Sequence, residues 1–212
     1  IAAGEGLAEI FKGLGVDEVI QGGQTMNPST EDILNAADKI NADTIFVLPN
    51  NSNIILASNQ AASIIEDKKL IVIPTKTIPQ GITAMINFEL TRSADENEKA
   101  MLESLSTVKS GQLTYAVRDT SIDGKEIKKD NYLGLGDNGL ASVGTDMDDT
   151  LIDMLSEFVD DESELISVYY GEDIDENKAE ELVYKIEEKF DGVDVELQYG
   201  GQPVYYYIVS VE

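Results

Sequence analysis

Residues 44–51 read TIFVLPNN and residues 70–76 read LIVIPTK. Each stretch opens with a short apolar run rich in β-branched residues and is stopped by a proline, which is typical of a buried strand. Helical patterns with one apolar side flank the two runs, at 7–14, 30–40, 53–65, 81–88 and 94–108. Short apolar strands that alternate with helices predict a parallel sheet covered on both faces. We also expect a short strand at 18–21.

The pattern changes after residue 109. A half-exposed strand is expected at 112–117, a turn at 122–125 and a hairpin at 132–143 around the Asp137-Asn138-Gly139 turn. Two helices and three strands follow, at 146–158, 165–170, 176–190, 193–198 and 205–211. The chain is therefore predicted to be α/β with two lobes. The first, residues 1–109, has a parallel sheet flanked by helices, and the second, residues 110–212, has a mixed sheet with helices.

Composition excludes several classes of function. The chain has 212 residues and a formal net charge of −26, which repels nucleic acid and anionic lipid surfaces. It contains no Cys and no His, so Ser-His-Asp and Cys-His catalysis and Cys-ligated zinc are excluded. The apolar runs are too short to span a bilayer, and no signal peptide is visible. We expect a cytoplasmic location, no membrane insertion and, because residue 1 is Ile, a piece of a longer protein.

An acidic motif at Asp146-Met147-Asp148-Asp149-Thr150 matches the DxDxT element of Mg²⁺-dependent phosphatases, with Asp146 as nucleophile and Asp148 as general acid. That chemistry needs Asp146 at the end of a buried strand. The preceding Gly144-Thr145 pair favours a helix start instead, with Thr145 and Asp148 as an acidic capping box. We therefore expect no metal site and no catalytic residue.

Polar residues follow the predicted strands of the first lobe. Gln24, Thr25 and Asn27 follow the first strand, Asn50 and Asn51 the second, and Thr75 and Lys76 the third. The carboxyl ends of parallel strands share one sheet edge, where amide and hydroxyl groups beside helix N-termini suit a carboxylate, phosphate or polyol. The alternative is that these side chains only cap helices and make turns.

Two residues of the second lobe are candidates to complete this crevice. Arg118 follows the first strand of that lobe, although it could simply pair with Asp119 at the surface. Gln202 lies in a Gly-Gly-Gln sequence that repeats the one at 22–24, and each follows a Gly-Val-Asp sequence. Either the two loops face one crevice, or two αβ units reuse the same turn chemistry. The run Tyr205-Tyr206-Tyr207 is expected to alternate sides on the last strand.

Several longer motifs resemble one family. They are GGQTMNPSTED at 22–32, VLPNN at 47–51, IPTK at 73–76, PQG at 79–81, TYAVRD at 114–119 and GGQP at 200–203. Over nearly all its length the chain resembles the C-terminal region of the ATP-binding subunit of bacterial fatty acid kinase, a dihydroxyacetone-kinase-like family. The resemblance implies a fold similar to the DegV-type fatty-acid-binding proteins.

The resemblance also implies a division of labour. ATP and Mg²⁺ would belong to a separate N-terminal kinase domain, with no cofactor here. This region would dock an acyl-binding DegV-type protein, whose fatty acid becomes an acyl phosphate, and a homodimer is possible. Related dihydroxyacetone-binding domains hold their substrate through a His that is missing here. The alternative function is a module that binds a carboxylate, a phosphate or a dihydroxyacetone-like molecule through the crevice.

Overall fold

A computed structural model describes residues 1–122 and 124–212. The chain divides into two compact units, Ile1–Val108 and Lys109–Glu212. Each unit has its own buried apolar cluster. No helix of the described residues combines the length and the apolar character that crossing a bilayer requires.

The first unit contains helices and strands in alternation along the chain. They are α1 (Glu5–Gly13), α2 (Thr30–Lys39), β1 (Thr44–Val47), α3 (Ser52–Ile64), β2 (Lys69–Val72), α4 (Ile78–Ile86) and α5 (Ala94–Ser104). β1 and β2 pair in parallel, with Thr44 opposite Lys69. Ile45, Ile54 and Leu70 are buried between the strands and α3. The predicted parallel pair and its helices are confirmed.

Side chains that the sequence places before the helices close their first turns. Ser29 and Asp32 form a capping box at the start of α2, since the Asp32 backbone nitrogen donates to Ser29 Oγ and the Ser29 backbone nitrogen donates to Asp32 Oδ2. Ser93 and Glu96 do the same for α5. These bonds lower the pKa of the Asp32 carboxyl. Local chemistry therefore fixes where both helices begin.

The strand predicted at 18–21 is wrong. This segment makes only an isolated parallel bridge, between Ala2 and Gln21, and no ladder. The reason is tertiary, because strand geometry needs a neighbouring backbone to accept its hydrogen bonds. Residues 17–20 face a cavity where that neighbour would lie.

The second unit is built on a six-stranded mixed sheet. Its elements are β3 (Lys109–Tyr115), β4 (Thr120–Ile122), β5 (Lys125–Ile127), β6 (Tyr132–Gly136), β7 (Gly139–Gly144), α6 (Met147–Phe158), β8 (Leu165–Tyr170), α7 (Glu176–Lys189), β9 (Asp194–Tyr199) and β10 (Tyr207–Val211). The strand order is β7-β6-β3-β10-β8-β9, and of these neighbours only β8 and β9 run parallel. β4 and β5 form a separate hairpin. The turn predicted at 122–125 includes Asp123, which lies outside the described residues.

Helix α6 packs closely on the sheet because the strands beneath it carry glycines. A Cβ atom on Gly111 would lie 2.8 Å from atoms of both Met154 and Phe158, and one on Gly136 would lie 2.8 Å from Phe158. Leu151 and Leu155 complete the buried face of the helix. The mixed sheet with its two helices is confirmed as predicted.

Two local predictions in this unit are wrong in detail. Asp146, rather than Thr145, caps α6, because the Asp149 backbone nitrogen donates to Asp146 Oδ1 over 3.0 Å. Asp148 instead forms an ion pair with Lys185, at 2.6 Å. The last strand begins at Tyr207, so Tyr205 and Tyr206 belong to the preceding loop and do not alternate along a strand.

Candidate functional site

The three polar loops of the first unit come together at the carboxyl edge of its sheet. The Asn50 backbone nitrogen donates to Thr75 Oγ1 over 2.9 Å and joins the loops that follow β1 and β2. The Asn51 side-chain amide donates to the Gly23 carbonyl oxygen and joins the loop of Gln24 to the other two. The parallel pairing of β1 and β2 sends both chains out at the same edge, so these contacts follow from the topology.

Asn50 is the most constrained residue of this edge. Its backbone has a φ of 55°, in the left-handed region that asparagine tolerates better than most residues. Its Nδ2 donates to the Ile1 carbonyl oxygen over 2.9 Å, whereas its Oδ1 is buried without a hydrogen-bond partner. A Cβ atom on Gly81 would clash with that oxygen, so only glycine lets α4 approach Asn50 this closely.

The other predicted residues of the edge differ in burial. Thr75 is fully buried, and Gln24 is half-buried with an Oε1 that also lacks a partner. Thr25, Asn27 and Lys76 are exposed. A ligand at this edge would therefore meet a buried floor of amide and hydroxyl groups and an exposed rim with one cation.

The helix N-termini at this edge lack nearby carboxylates. Asn51 caps α3 by accepting a hydrogen bond from the Asn53 backbone nitrogen, and Thr77 caps α4 through the Gln80 backbone nitrogen. Neither helix has an acidic residue in its first turn, whereas the other five helices of the described residues do. The positive ends of these two helix dipoles are thus not neutralised locally. Nowhere in 1–122 or 124–212 do three or more Asp and Glu side chains form a group that could hold a metal ion.

The second unit has a buried glutamine in the loop between β9 and β10. Gln202 is only 1% exposed, and its Nε2 donates to the Tyr169 carbonyl oxygen over 2.9 Å. Its Oε1 is buried without a partner, like the corresponding atom of Gln24. The repeated Gly-Gly-Gln sequence thus places a glutamine oxygen in a similar environment in each unit. That the two loops face one crevice stays a prediction.

The same loop carries a strained and exposed valine. Val204 has a φ of 74°, which is rare for a β-branched residue, and it is 45% exposed. Two hydrogen bonds to β3 hold the loop. Thr114 Oγ1 donates to the Val204 carbonyl oxygen over 3.1 Å, and the Tyr206 backbone nitrogen donates to the Leu113 carbonyl oxygen over 2.9 Å.

Three aromatic rings adjoin Val204 and form what we call the tyrosine cluster, Tyr115, Tyr132 and Tyr206. The ring centroids of Tyr115 and Tyr132 lie 5.9 and 5.8 Å from that of Tyr206. Burial, followed by the neighbouring phenols, raises the pKa of Tyr206. Tyr115 is 43% exposed and Val117 is 70% exposed, so the cluster presents an apolar surface to solvent.

Basic residues flank the tyrosine cluster. Arg118, Lys128 and Lys129 are exposed and lie on the two segments that leave β3 and enter β6. These segments are hydrogen-bonded to each other, because the Ala116 backbone nitrogen donates to the Asn131 carbonyl oxygen and the Lys129 backbone nitrogen to Asp119 Oδ1. Arg118 is therefore part of this surface of the second unit.

Sequence reasoning missed the tyrosine cluster as a candidate site. Its members are far apart in the chain, and only the pairing of β3 with β6 and the course of the 200–206 loop bring them together. One signal was available, because all nine tyrosines of the chain follow residue 109.

Comparison with known proteins settles the family. Residues 1–212 match the FakA-like family, which is described as the C-terminal part of a fatty acid kinase component. The chain belongs to this family. Protein YloV of Bacillus subtilis is 47% identical over 212 residues, which is the whole of this FakA-like chain but 38% of YloV. The chain thus spans less than half of that relative's length.

Solved structures share the fold of this FakA-like domain. The DegV family protein Cg2579 from Corynebacterium glutamicum matches with a TM-score of 0.66 at 11% identity, covering 96% of this chain and 92% of that one. The Streptococcus pneumoniae fatty acid kinase (Fak) B3 protein, whose structure is loaded with linoleic acid, gives 0.60 at 16% identity, with 87% and 76% covered. The dihydroxyacetone kinase of C. freundii gives 0.52 at 11% identity, with 87% and 41% covered. The predicted family and the DegV-like fold are confirmed.

Proposed function

We propose that this chain is a non-catalytic domain of a fatty acid kinase and docks an acyl-binding protein of the DegV type. The partner would present its fatty acid to the N-terminal kinase domain, which would supply ATP and Mg²⁺. Two findings support the proposal. The chain belongs to the FakA-like family, and a protein of similar fold is itself a fatty acid kinase component that carries linoleic acid.

The observation that carries this proposal is the tyrosine cluster. Tyrosine is enriched at protein interfaces because it buries a large rigid ring and still satisfies a hydroxyl group. Here the rings are ordered by contact with one another, so a partner would lose little entropy in immobilising them. Exposed Val117 and Val204 extend the apolar area.

The charges around the cluster indicate the character of the partner's surface. In a chain of net charge −26, the exposed cations Arg118, Lys128 and Lys129 form a local basic rim. Charged groups at an interface rim act mainly on association rate and orientation. We therefore expect an apolar contact surface with acidic residues around it on the DegV-type protein.

The test is calorimetric titration of the full-length kinase protein with the acyl-loaded partner protein. Tyr115→Ala is expected to weaken binding about tenfold or more, since central aromatic residues dominate interface energies. The matched control is Tyr184→Ala, because Tyr184 is 70% exposed on α7 and outside the cluster. Arg118→Ala should slow association and reduce its dependence on salt, whereas Lys178→Ala on α7 should not.

Two results would contradict the docking proposal. One is equal loss of affinity in Tyr115→Ala and Tyr184→Ala. The other is binding of free fatty acid by the full-length protein with no binding of the loaded partner.

A second candidate function is binding of a small molecule at the carboxyl edge of the first unit. It is favoured by the buried, unpartnered oxygens of Asn50 and Gln24 beside two helix N-termini without first-turn acids. An oxygen acceptor beside a positive helix end suits a ligand with both a hydroxyl group and an anionic or polar oxygen.

This second function has its own discriminating experiment. Titration with dihydroxyacetone, with inorganic phosphate and with free fatty acid would use Asn50→Ala and Lys76→Met, and Lys99→Met would be the exposed-lysine control. Loss of small-molecule binding in the first two variants, with partner docking intact, would support a ligand site. No binding of any probe by the unaltered protein would exclude those ligand classes.

A further inference from the structure

The first unit contains an apolar cavity of about 180 Å³. The segment 15–20 and strand β1 form two of its walls. Helical residues form the rest, among them Phe11 of α1, Ile33 of α2, Met85 of α4 and Met101 of α5. An apolar space of this size inside a small unit is unusual, because protein interiors are packed with few voids larger than a water molecule.

The cavity lies along the unpaired edge of β1. Lys69 and Ile73 donate backbone hydrogen bonds to the carbonyl oxygens of Asp43 and Val47, over 2.8 and 3.0 Å. Since alternate residues of a parallel strand direct their backbone groups to opposite edges, those of Thr44, Phe46 and Leu48 point away from β2. Within the described part of the chain, β2 is the strand that pairs with β1, and no strand lies on its other edge.

Residues 1 and 2 occupy the end of this empty position. The Ala2 backbone nitrogen donates to the Ile20 carbonyl oxygen and the Gly22 nitrogen to the Ala2 carbonyl oxygen, both over 3.1 Å. On the opposite side, the Ile1 nitrogen donates to the Leu48 carbonyl oxygen over 2.7 Å. Ile1 and Ala2 thus have extended neighbours on both sides, as the last residues of a central strand would.

We propose that the cavity is the place of a parallel β-strand formed by the residues that directly precede Ile1 in the full-length polypeptide. The strand would insert between residues 17–21 and β1. It would make a four-stranded parallel sheet in the order 17–21, inserted strand, β1, β2. Matching the open edge from Thr44 to Leu48 takes about four residues at roughly 3.3 Å each.

The length of the relatives and the lining of the cavity fit this occupant. YloV is longer than this chain, which covers 38% of it, and the family is described as C-terminal, so polypeptide precedes the matched region. Apolar side chains line the cavity from α1 and α2 as well as from α4 and α5. A strand covered by helices on both faces is apolar along its whole length, so we expect four consecutive, mostly β-branched residues there.

The environment of the Ile1 nitrogen agrees with the geometry. Burial lowers the pKa of this amino group to about 5. A site that disfavours an ammonium ion so strongly is suited to the neutral peptide nitrogen that would stand there in the longer chain. This inference is independent of the proposed docking function, which concerns the second unit.

Amide hydrogen exchange of the full-length protein, resolved to single residues, tests the inserted strand. The backbone amides of Phe46 and Leu48 are expected to be as protected as those of Ile45 and Val47, which bond to β2. In the 212-residue chain, Phe46 and Leu48 should exchange at least a hundredfold faster than their two neighbours. Equally fast exchange of Phe46 and Leu48 in both chains would overturn the proposal.

A ligand in the cavity is the competing outcome, and a second measurement detects it. A fluorescent fatty acid would be titrated against the full-length protein and against its Ala36→Leu variant, because Ala36 lines the cavity. No binding attributable to the cavity is expected in the full-length protein. Binding that Ala36→Leu abolishes would show an open cavity and would overturn the inserted strand.

Discussion

The two units of this domain differ in how completely their sheets are closed. In the second unit four of six sheet strands have neighbours on both sides, and the core between sheet, α6 and α7 is continuous. The first unit has a two-stranded sheet with a cavity along one edge of β1. The difference teaches that an αβ pattern can be complete in its helices while one strand position is unfilled.

The aromatic residues follow the same division. All nine tyrosines lie in the second unit, where they fill the core and form the tyrosine cluster. The chain contains no Trp. Tyrosine fluorescence therefore reports the second unit alone, and the two units can be followed separately in one sample.

The largest expected effect comes from opening the closed core. Ile166→Ala in β8 removes a fully buried side chain and should cost about 3–5 kcal/mol of unfolding free energy. Ile40→Ala, beside the existing cavity, should cost about 1 kcal/mol or less in the 212-residue chain, because little packing is lost there. Denaturant unfolding is followed by tyrosine fluorescence for Ile166 and by hydrogen exchange for Ile40. Similar costs at the two sites would show that the units are equally well packed.

The next effect separates the units at moderate pH. The Ile1 amino group has its pKa lowered from 8.0 to about 5 by burial, so between these values the unfolded chain binds a proton that the folded chain does not. The stability of the first unit should therefore fall as pH drops from 8 to 5, by up to about 4 kcal/mol. Hydrogen exchange of residues 44–48 across this range measures it. N-terminal acetylation is the control, and a slope that survives acetylation would assign the effect to other groups.

At alkaline pH the second unit should be the one to lose stability. Burial raises the pKa of Tyr169 from 10.0 to about 12, and it raises that of Tyr207 as well. The folded state keeps these protons while the unfolded state releases them, so stability is complete below pH 10 and is lost as pH rises toward 12. Tyr169 alone accounts for about 2–3 kcal/mol. Thermal melts by circular dichroism should show Tyr169→Phe less sensitive than the exposed control Tyr184→Phe, and equal sensitivity would argue against this origin.

The smallest effect is a change of sign. Ala36→Leu places a larger apolar side chain against the cavity and should stabilise the 212-residue chain by about 1 kcal/mol. In the full-length polypeptide the inserted strand would already fill that space, so the same substitution should destabilise it by about 1–3 kcal/mol through overpacking. Denaturant midpoints of the two chains, each beside its Ala36 parent, provide the measurement. Stabilisation in both chains would mean that the cavity is open in both.

Much of the candidate ligand edge could be predicted from the sequence, because it depends on where strands stop. Pro49 and Pro74 end the two strands, and parallel pairing then places Asn50 beside Thr75, at 2.9 Å between the Asn50 nitrogen and Thr75 Oγ1. The tyrosine cluster could not be predicted in this way. Tyr115 and Tyr206 are 91 residues apart in the numbering and meet only after β3, β6 and the 200–206 loop have come together.

By itself the sequence determined the helices, their caps and the chemistry that is excluded, since periodicity, capping by Ser29 and Ser93, and the lack of His and Cys are local or compositional properties. The tertiary structure alone decided that residues 17–20 form no ladder, that Asp146 caps α6 and that a cavity follows β1. The physical reason is that a helix satisfies its backbone groups within a few residues. A strand satisfies them only through a neighbour that must be present beside it.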